Sequence, residues 1–250
     1  MSTHRGPPDG DVDRRVADQA ADVIGGVVER VFRTVLELRD EVLATYRAAV
    51  ARDGRMCERD VTALRDPVLG RLGREHQAAI GMGVVVAPGL LADRELRIEW
   101  WQYGTRAPGA GRGEPTFLEV DLNPASVGFY DYATAEWFVG PRRTGRRHVV
   151  GPYVDVHGTD RYLLTLTVPV VADGAFLGVA GADLPVARFE ALVLRELGDL
   201  AADVVVVNPE DRVVLSTSAR WLAGSRAVFT DADTARTLAE PRWRVVTTRR

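Results

Sequence analysis

Two strand-like runs joined by an Asp-Gly pair limit the folds open to this chain more than any other feature. The runs cover residues 162–171 and 175–182, and Asp173-Gly174 lies between them. An Asp-Gly pair suits the type I′ turn of a two-residue hairpin, because both turn residues need a positive φ. A further strand is predicted over 148–154. The middle of the chain therefore predicts an antiparallel sheet.

A long helix is predicted ahead of this sheet, over residues 12–54. Its apolar residues alternate at spacings of four and three, which is a heptad stripe. The residues of the stripe are Ile24, Val28, Val31, Val35, Leu38 and Val42. At about 1.5 Å per residue the helix would run roughly 60 Å, longer than a small domain is wide. The stripe predicts packing on the domain that follows, pairing with a second copy of the chain, or both.

The pattern along the chain predicts an α+β fold: the long helix, an antiparallel sheet with flanking helices, and a smaller C-terminal β unit. Residues 1–11 are rich in Gly, Pro and Asp and are predicted to be a disordered tail. The main module is predicted over 55–200 and the smaller unit over 201–250. In the smaller unit, 243–248 reads as an edge strand.

Composition excludes several functions and favours others. The formal net charge is −3, which gives no global argument for binding nucleic acid. All basic residues are Arg, so lysine-dependent chemistry is absent. The single cysteine, Cys57, excludes an internal disulfide. No apolar run of about twenty residues and no signal-peptide pattern is found, so the sequence predicts a cytoplasmic protein without membrane association.

Motifs of catalysis are missing from the sequence. There is no GxSxG, HExxH, P-loop or kinase signature. A metal pair of His148 and His157 has no carboxylate beside it at ligand spacing. The sequence therefore predicts no enzyme, cofactor or metal. The remaining enzymatic alternative uses Asp131 or Glu136 as a general base, which requires a raised carboxylate pKa beside a cleft.

Aromatic and acidic residues are concentrated in the middle of the chain. The aromatic residues are Trp100, Trp101, Tyr103, Tyr130, Tyr132, Trp137, Phe138 and Tyr153, and the acidic ones are Asp131, Asp155 and Asp183. Ring faces attract a cation, and a carboxylate supplies its counter-charge. The alternative is ordinary core packing with the acids in turns. In that interpretation Asp183 is the N-cap of the next helix.

Residues 148–184, HVVGPYVDVHGTDRYLLTLTVPVVADGAFLGVAGADL, resemble the core of a Cache sensor domain of the double-Cache class. The motifs of that family occur here in order: a Trp-aromatic pair, PYxD, TxxxPV, DGxFxGV and a closing GxD. The similarity covers about residues 80–200. It implies a PAS-like module over 55–200 and a truncated second PAS-like unit over 201–250. Most members sit outside the membrane on receptors, and this chain shows no such anchor, so the expectation is a free-standing cytoplasmic member.

The resemblance also implies a ligand pocket. Family members that bind amino acids hold the ligand carboxylate with a Y…RxWY loop and the ligand amine with two later aspartates. Tyr130, Trp137, Asp155 and Asp183 match that pattern, and Phe138 replaces the second Tyr. Ala135 stands where the family has Arg, so the carboxylate clamp is lost while the amine end survives. An arginine from 142–147 could replace it.

These observations predict a homodimeric sensor module for a small amine or amino-acid-like metabolite, which signals through a partner protein. Tyr130, Trp137 and Tyr153 would form the walls of the pocket, while Asp155 and Asp183 would bind the ammonium group. The further candidates are Trp101, Asp131, Tyr132 and Phe138. The alternative is a structural or interaction protein with the same fold and no functional pocket.

Overall fold

The structure, a computed structural model, describes residues 9–75, 77–104, 113–156, 161–200, 202–230 and 234–248. The helices are α1 Asp9–Asp53, α2 Glu58–Thr62, α3 Arg65–Leu72, α4 Glu136–Thr144 and α5 Val186–Leu197, with a short 3-10 helix at Tyr132–Thr134. The strands are β1 Gly81–Val86, β2 Ile98–Tyr103, β3 Pro115–Phe117, β4 His148–Val154, β5 Tyr162–Ala172, β6 Ala175–Pro185, β7 Asp203–Val207, β8 Val213–Ser216, β9 Thr234–Thr237 and β10 Arg244–Thr248.

The chain divides into two compact units. The larger unit is Arg30–Pro185, and the smaller one combines residues up to Glu29 with Val186–Arg250. The larger unit contains a six-stranded antiparallel sheet in the order β3-β2-β1-β6-β5-β4, and the smaller unit a four-stranded sheet in the order β8-β7-β10-β9. The α+β prediction is confirmed. The ranges 55–200 and 201–250 remain predictions, and the predicted tail over 1–11 falls largely outside the described residues.

The β5–β6 hairpin at the centre of the larger sheet is confirmed. Asp173 has φ 51° and Gly174 has φ 79°, the left-handed values that the turn requires. Ala172 pairs with Ala175 directly beside the turn. This register also places Thr165 opposite Asp183 near the other end of the hairpin.

The N-terminal helix begins three residues earlier and ends one residue earlier than predicted, and it buries its apolar stripe within the chain. All six stripe residues are at most 4% exposed. The helix ends where Gly54, at φ 74°, donates its backbone N–H to the Val50 carbonyl. Because the stripe is covered, a homodimer through this helix would have to use its opposite face, where Arg33, Asp40 and Arg47 are exposed.

The smaller unit corrects one prediction. The segment 243–248 was expected at an edge, but β10 lies between β7 and β9. Its Val245 and Val246 are buried, as a central strand requires. The ring of Phe189 on α5 packs against Trp243 at 5.7 Å between centroids.

Candidate ligand-binding site

A pocket lies on one face of the six-stranded sheet. Its cavity volume is about 30 Å³, or about 340 Å³ when the open solvent at its mouth is included. The pocket is lined by Val85, Ile98, Trp100, Leu118, Tyr130, Trp137, Tyr153, Asp155, Thr165 and Asp183. The lining is therefore mainly apolar and aromatic, with two carboxylates and no basic side chain among the described residues.

Strand alternation and register bring the polar members of this lining together. Side chains of alternate strand residues share a face, so Thr165 and its partner across the ladder, Asp183, project to the same side. Gly81 pairs with Asp183 on the other flank. A Cβ on Gly81 would lie 2.8 Å from Trp100 Nε1 and 3.2 Å from Asp183 Oδ2. Gly81 thus provides the space in which the indole and the carboxylate meet.

Backbone contacts position the remaining walls. Thr167 Oγ1 donates to the Trp137 carbonyl at 2.8 Å, which ties α4 to β5. The Tyr130 N–H donates to the Asp121 carbonyl at 2.7 Å. The Asp155 N–H donates to the Arg161 carbonyl at 2.9 Å and so links the residue after β4 to the residue before β5.

Asp183 has the most perturbed carboxyl group of the pocket. Its side chain is buried, and Thr165 Oγ1 donates to Oδ1 at 2.7 Å. Burial raises the pKa of Asp183 to about 7, and the charge of Asp155 adds to that rise. The Thr165 hydrogen bond and the charge of Arg161 act in the opposite direction. Asp183 can therefore exist with or without its proton near neutral pH.

The two tyrosines of the pocket remain neutral phenols. Burial raises the pKa of Tyr130 above its ordinary value, and the charges of Asp155 and Asp183 add to the effect. The pKa of Tyr153 rises for the same reasons, burial first. Each phenol therefore keeps a proton that it can donate.

The structure brings five of the predicted site residues together in the pocket: Tyr130, Trp137, Tyr153, Asp155 and Asp183. It places four elsewhere: Trp101, Asp131, Tyr132 and Phe138. Contact with a ligand remains a prediction for all nine. The N-cap interpretation of Asp183 is wrong, because the residue lies inside β6.

The four residues outside the pocket have other surroundings. Tyr132 is buried and donates its hydroxyl to the Val86 carbonyl at 2.8 Å. Phe138 is fully buried, with its ring 5.4 Å from that of Phe176. Trp101 lies on the other face of β2, with Nε1 2.7 Å from Glu99 Oε1. Asp131 is exposed.

Sequence reasoning missed two polar lining residues, Trp100 and Thr165. The Trp100-Trp101 pair was visible, but only the register of β2 decides which ring faces the pocket. Thr165 was visible as the first residue of TxxxPV, and its hydrogen bond to Asp183 required knowledge of the β5–β6 pairing.

The arginine cluster 142–147 supplies no member of the pocket lining. Arg143 pairs with Glu136 at 3.2 Å. The guanidinium of Arg147 lies 4.7 Å from the centre of the Phe32 ring. Arg161 lies closer to the pocket's chemistry, since its charge acts on Asp183 while its Nη2 donates to the Tyr103 carbonyl at 2.6 Å.

In the described part of the chain, the candidate metal ligands and general bases do not form a site. No group of three His, Cys, Asp or Glu side chains could hold a metal ion there. His157 lies outside the described residues. Asp131 and Glu136, the candidate general bases, are exposed and do not line the pocket.

No family model matches the chain. A curated relative, the methyl-accepting chemotaxis protein TlpQ of Pseudomonas aeruginosa, is 31% identical over 114 residues. That match covers 44% of this chain and 16% of the relative. The chain thus spans only a small part of the receptor's length.

Solved structures match almost the whole chain. The extracellular domain of soHK1S-Z6, assigned as a histidine kinase, has a TM-score of 0.60 at 16% identity, over 95% of this chain and 92% of that one. The chain has the fold of a receptor sensor domain. The ligand-binding domain of the P. aeruginosa amino acid chemoreceptor PctC, in complex with GABA, has a TM-score of 0.54 at 18% identity, over 93% and 96%. The ligand-binding domain of the Campylobacter jejuni chemoreceptor Tlp3, in complex with L-norvaline, has a TM-score of 0.54 at 11% identity, over 99% of this chain and 94% of that one.

These comparisons correct the predicted location. The cytoplasmic prediction is wrong, because proteins with this sensor-domain fold include an extracellular domain and the ligand-binding domains of chemoreceptors. Within the described residues, no helix has the length and apolar character needed to cross a membrane.

Proposed function

We propose that this chain is the ligand-binding module of a sensor of the double-Cache class and that its pocket binds a small amine. The observation that carries the proposal is the presence of both Asp155 and Asp183 in the lining of an aromatic-walled pocket that has no basic side chain among the described residues. Carboxylates accept ammonium N–H bonds, and the faces of Trp137 and Tyr130 attract a cation.

Charge distinguishes this pocket's ligand from those of the structural neighbours. GABA and L-norvaline, the ligands named for PctC and Tlp3, each carry an ammonium and a carboxylate group. Here Ala135 stands at the position where the resemblance places an arginine clamp, and two acids line the pocket. A ligand carboxylate would meet like charge without a partner, which is costly in a buried site. An amine without a carboxylate avoids that cost.

The proposal extends to signalling, which the fold shared with chemoreceptor domains supports. A ligand shifts an equilibrium only by its differential contacts with two states. Binding between Trp137 on α4 and Asp183 on β6 would favour the state in which these elements are held together. We propose that the change is passed to a partner protein, and that a homodimer forms through the exposed, charged face of α1. Sedimentation equilibrium at low and high salt tests the dimer, because contacts between exposed charges weaken with salt.

The proposal is tested by thermal shift with four compounds that separate amine from carboxylate. n-Butylamine is L-norvaline without its carboxylate, and it is added beside GABA, L-norvaline and butyrate. An amine at 100 times its Kd should stabilise the fold by about 2.7 kcal/mol. We expect n-butylamine to raise the melting temperature of the wild type, with the rise lost in Asp155→Asn and kept in Asp131→Asn, a matched control outside the pocket.

Two results would contradict the proposal. Stabilisation by butyrate and not by n-butylamine would mean that the pocket recognises an anion. Stabilisation by none of the four compounds would favour the alternative, a structural or interaction protein with this fold and no functional pocket.

A further inference from the structure

Three side chains of the pocket form a hydrogen-bonded chain from its wall to its most buried carboxylate. The Tyr153 hydroxyl lies 2.8 Å from Thr165 Oγ1, and Thr165 Oγ1 lies 2.7 Å from Asp183 Oδ1. The chain crosses three neighbouring strands, β4, β5 and β6. Both contacts have the length of O–H···O hydrogen bonds.

Counting the protons in this chain shows that its direction depends on Asp183. A hydroxyl group has one proton to donate. When Asp183 is ionised it only accepts, so Thr165 donates to it and Tyr153 must donate to Thr165. When Asp183 carries a proton on Oδ1, it donates to Thr165, and Thr165 then donates to Tyr153. When Asp183 is ionised, the Tyr153 proton is used in the hydrogen bond to Thr165. When Asp183 is protonated, the Tyr153 proton is free to turn into the pocket.

We propose that Tyr153, Thr165 and Asp183 form a relay that reverses with the charge of Asp183, so that the pocket accepts a cation only when Asp183 is ionised. The inference rests on the proposed amine-binding function and deepens it. In the ionised state the ligand's ammonium meets a carboxylate and a tyrosine oxygen that accepts. In the protonated state it meets a neutral acid and a tyrosine proton, a donor facing a donor.

The groups around Asp183 leave both states accessible. Tyr153 lies on β4. Asp155, the residue after β4, carries a charge that favours the proton, and Arg161, the residue before β5, carries a charge that opposes it. The adjoining strand β1 contributes the uncharged Gly81. Burial is the largest cause of the rise of the Asp183 pKa to about 7, and these two charges act beside it in opposite directions.

Trp100, on β2, supplies the second structural support for the relay. Its Nε1 is buried without a hydrogen-bond partner within the described residues. It nevertheless lies beside the Asp183 carboxylate closely enough to lower the pKa of that group. A buried unpaired donor is costly. A small shift that pairs it with ionised Asp183 would recover that cost in the state that receives the ligand.

The first experiment needs no ligand and tests the relay alone. Carboxyl ¹³C NMR titration of the full chain, assigned with Asp183→Asn, follows the aspartate side chains with pH. We expect the Asp183 signal to titrate near pH 7 in the wild type. In Thr165→Val the midpoint should move to higher pH, because the ionised form loses its donor. Thr165→Ser keeps the hydroxyl and should retain the wild-type midpoint, which controls for packing.

The second experiment measures the Kd of n-butylamine by calorimetry across pH. Alkylammonium groups stay charged in this range, as the lysine pKa of about 10.4 indicates. With a midpoint of about 7, the Kd should rise about thirtyfold between about pH 8.5 and pH 5.5, with proton release on binding at the lower pH. In Thr165→Val the weakening should begin at a higher pH.

The two experiments separate failure of the relay from failure of the proposed function. An Asp183 signal already ionised at pH 5.5, or a midpoint unmoved by Thr165→Val, overturns the relay whatever binds. A Kd that does not change across the same range also overturns it. If n-butylamine binds at no pH while the titration behaves as expected, the relay stands in the ligand-free protein and the amine-binding function is wrong.

Discussion

Replacing Asp183 with Asn should make the ligand-free protein more stable than the wild type, by an amount that grows as pH rises. Asn keeps an acceptor for Thr165 but carries no charge to bury. The Asp183 pKa rises from its ordinary 3.8 to about 7. At about 1.36 kcal/mol per pKa unit, ionising Asp183 in the folded state costs about 4 kcal/mol more than in the unfolded chain.

The sign and the pH window follow from linkage. The folded protein binds the Asp183 proton more tightly than the unfolded chain does. The protonated carboxyl group therefore contributes stability that is fully present below pH 3.8 and is lost as pH rises through 7. Between about pH 5 and pH 8 the wild type should lose about 3 kcal/mol relative to Asp183→Asn.

Urea unfolding of both proteins, ligand-free, at a series of pH values measures this difference directly. The subtraction removes the contributions of all other ionisable groups that the substitution leaves unchanged. Asp131→Asn, which removes an exposed carboxyl group outside the pocket, is the control for the loss of an aspartate. A constant difference for Asp183→Asn over the same window would refute the argument that this carboxyl group is buried and partly protonated.

Three further substitutions test the geometry of the site and fold. Gly81→Ala places a methyl group 2.8 Å from Trp100 Nε1, so calorimetry should show n-butylamine affinity falling by about tenfold or more, whereas Gly70→Ala, with open space around its Cβ, should leave it unchanged. Ala135→Arg should shift the ratio of Kd values in favour of L-norvaline over n-butylamine, because a guanidinium can pair with the carboxylate; an unchanged ratio would mean that position 135 does not reach the ligand. Gly174→Ala should lower the free energy of unfolding by about 1 kcal/mol in a urea titration, since its φ of 79° disfavours a residue with a Cβ, and equal stability would contradict the turn assignment.

Local signals in the sequence predicted the central hairpin well. Asp173 and Gly174 form a turn whose chemistry is contained in two residues, so no tertiary information was needed. The heptad stripe predicted the helix equally well, but the same pattern serves packing within a chain and between chains. The choice between them depends on what lies opposite the stripe, which the sequence of the helix does not contain.

The candidate pocket was predictable only in part. The positions of Asp155 and Asp183 followed from family motifs, and both line the pocket. The sequence predicted Trp101 as a site residue, whereas Trp100 lines the pocket. Adjacent strand residues face opposite sides of the sheet, and the register decides which of them faces the pocket. The burial that perturbs Asp183 arises from residues far apart in sequence. No local pattern contains it.

The most direct test of the central claim is the ratio of the Kd values of L-norvaline and n-butylamine, measured by calorimetry on the wild-type chain at a pH where Asp183 is ionised. The two compounds differ only by the carboxylate. We expect n-butylamine to bind more tightly than L-norvaline, and Asp155→Asn to weaken the binding of n-butylamine. Tighter binding of L-norvaline would contradict the account, because the pocket would then have to hold a carboxylate for which its described lining offers no basic partner.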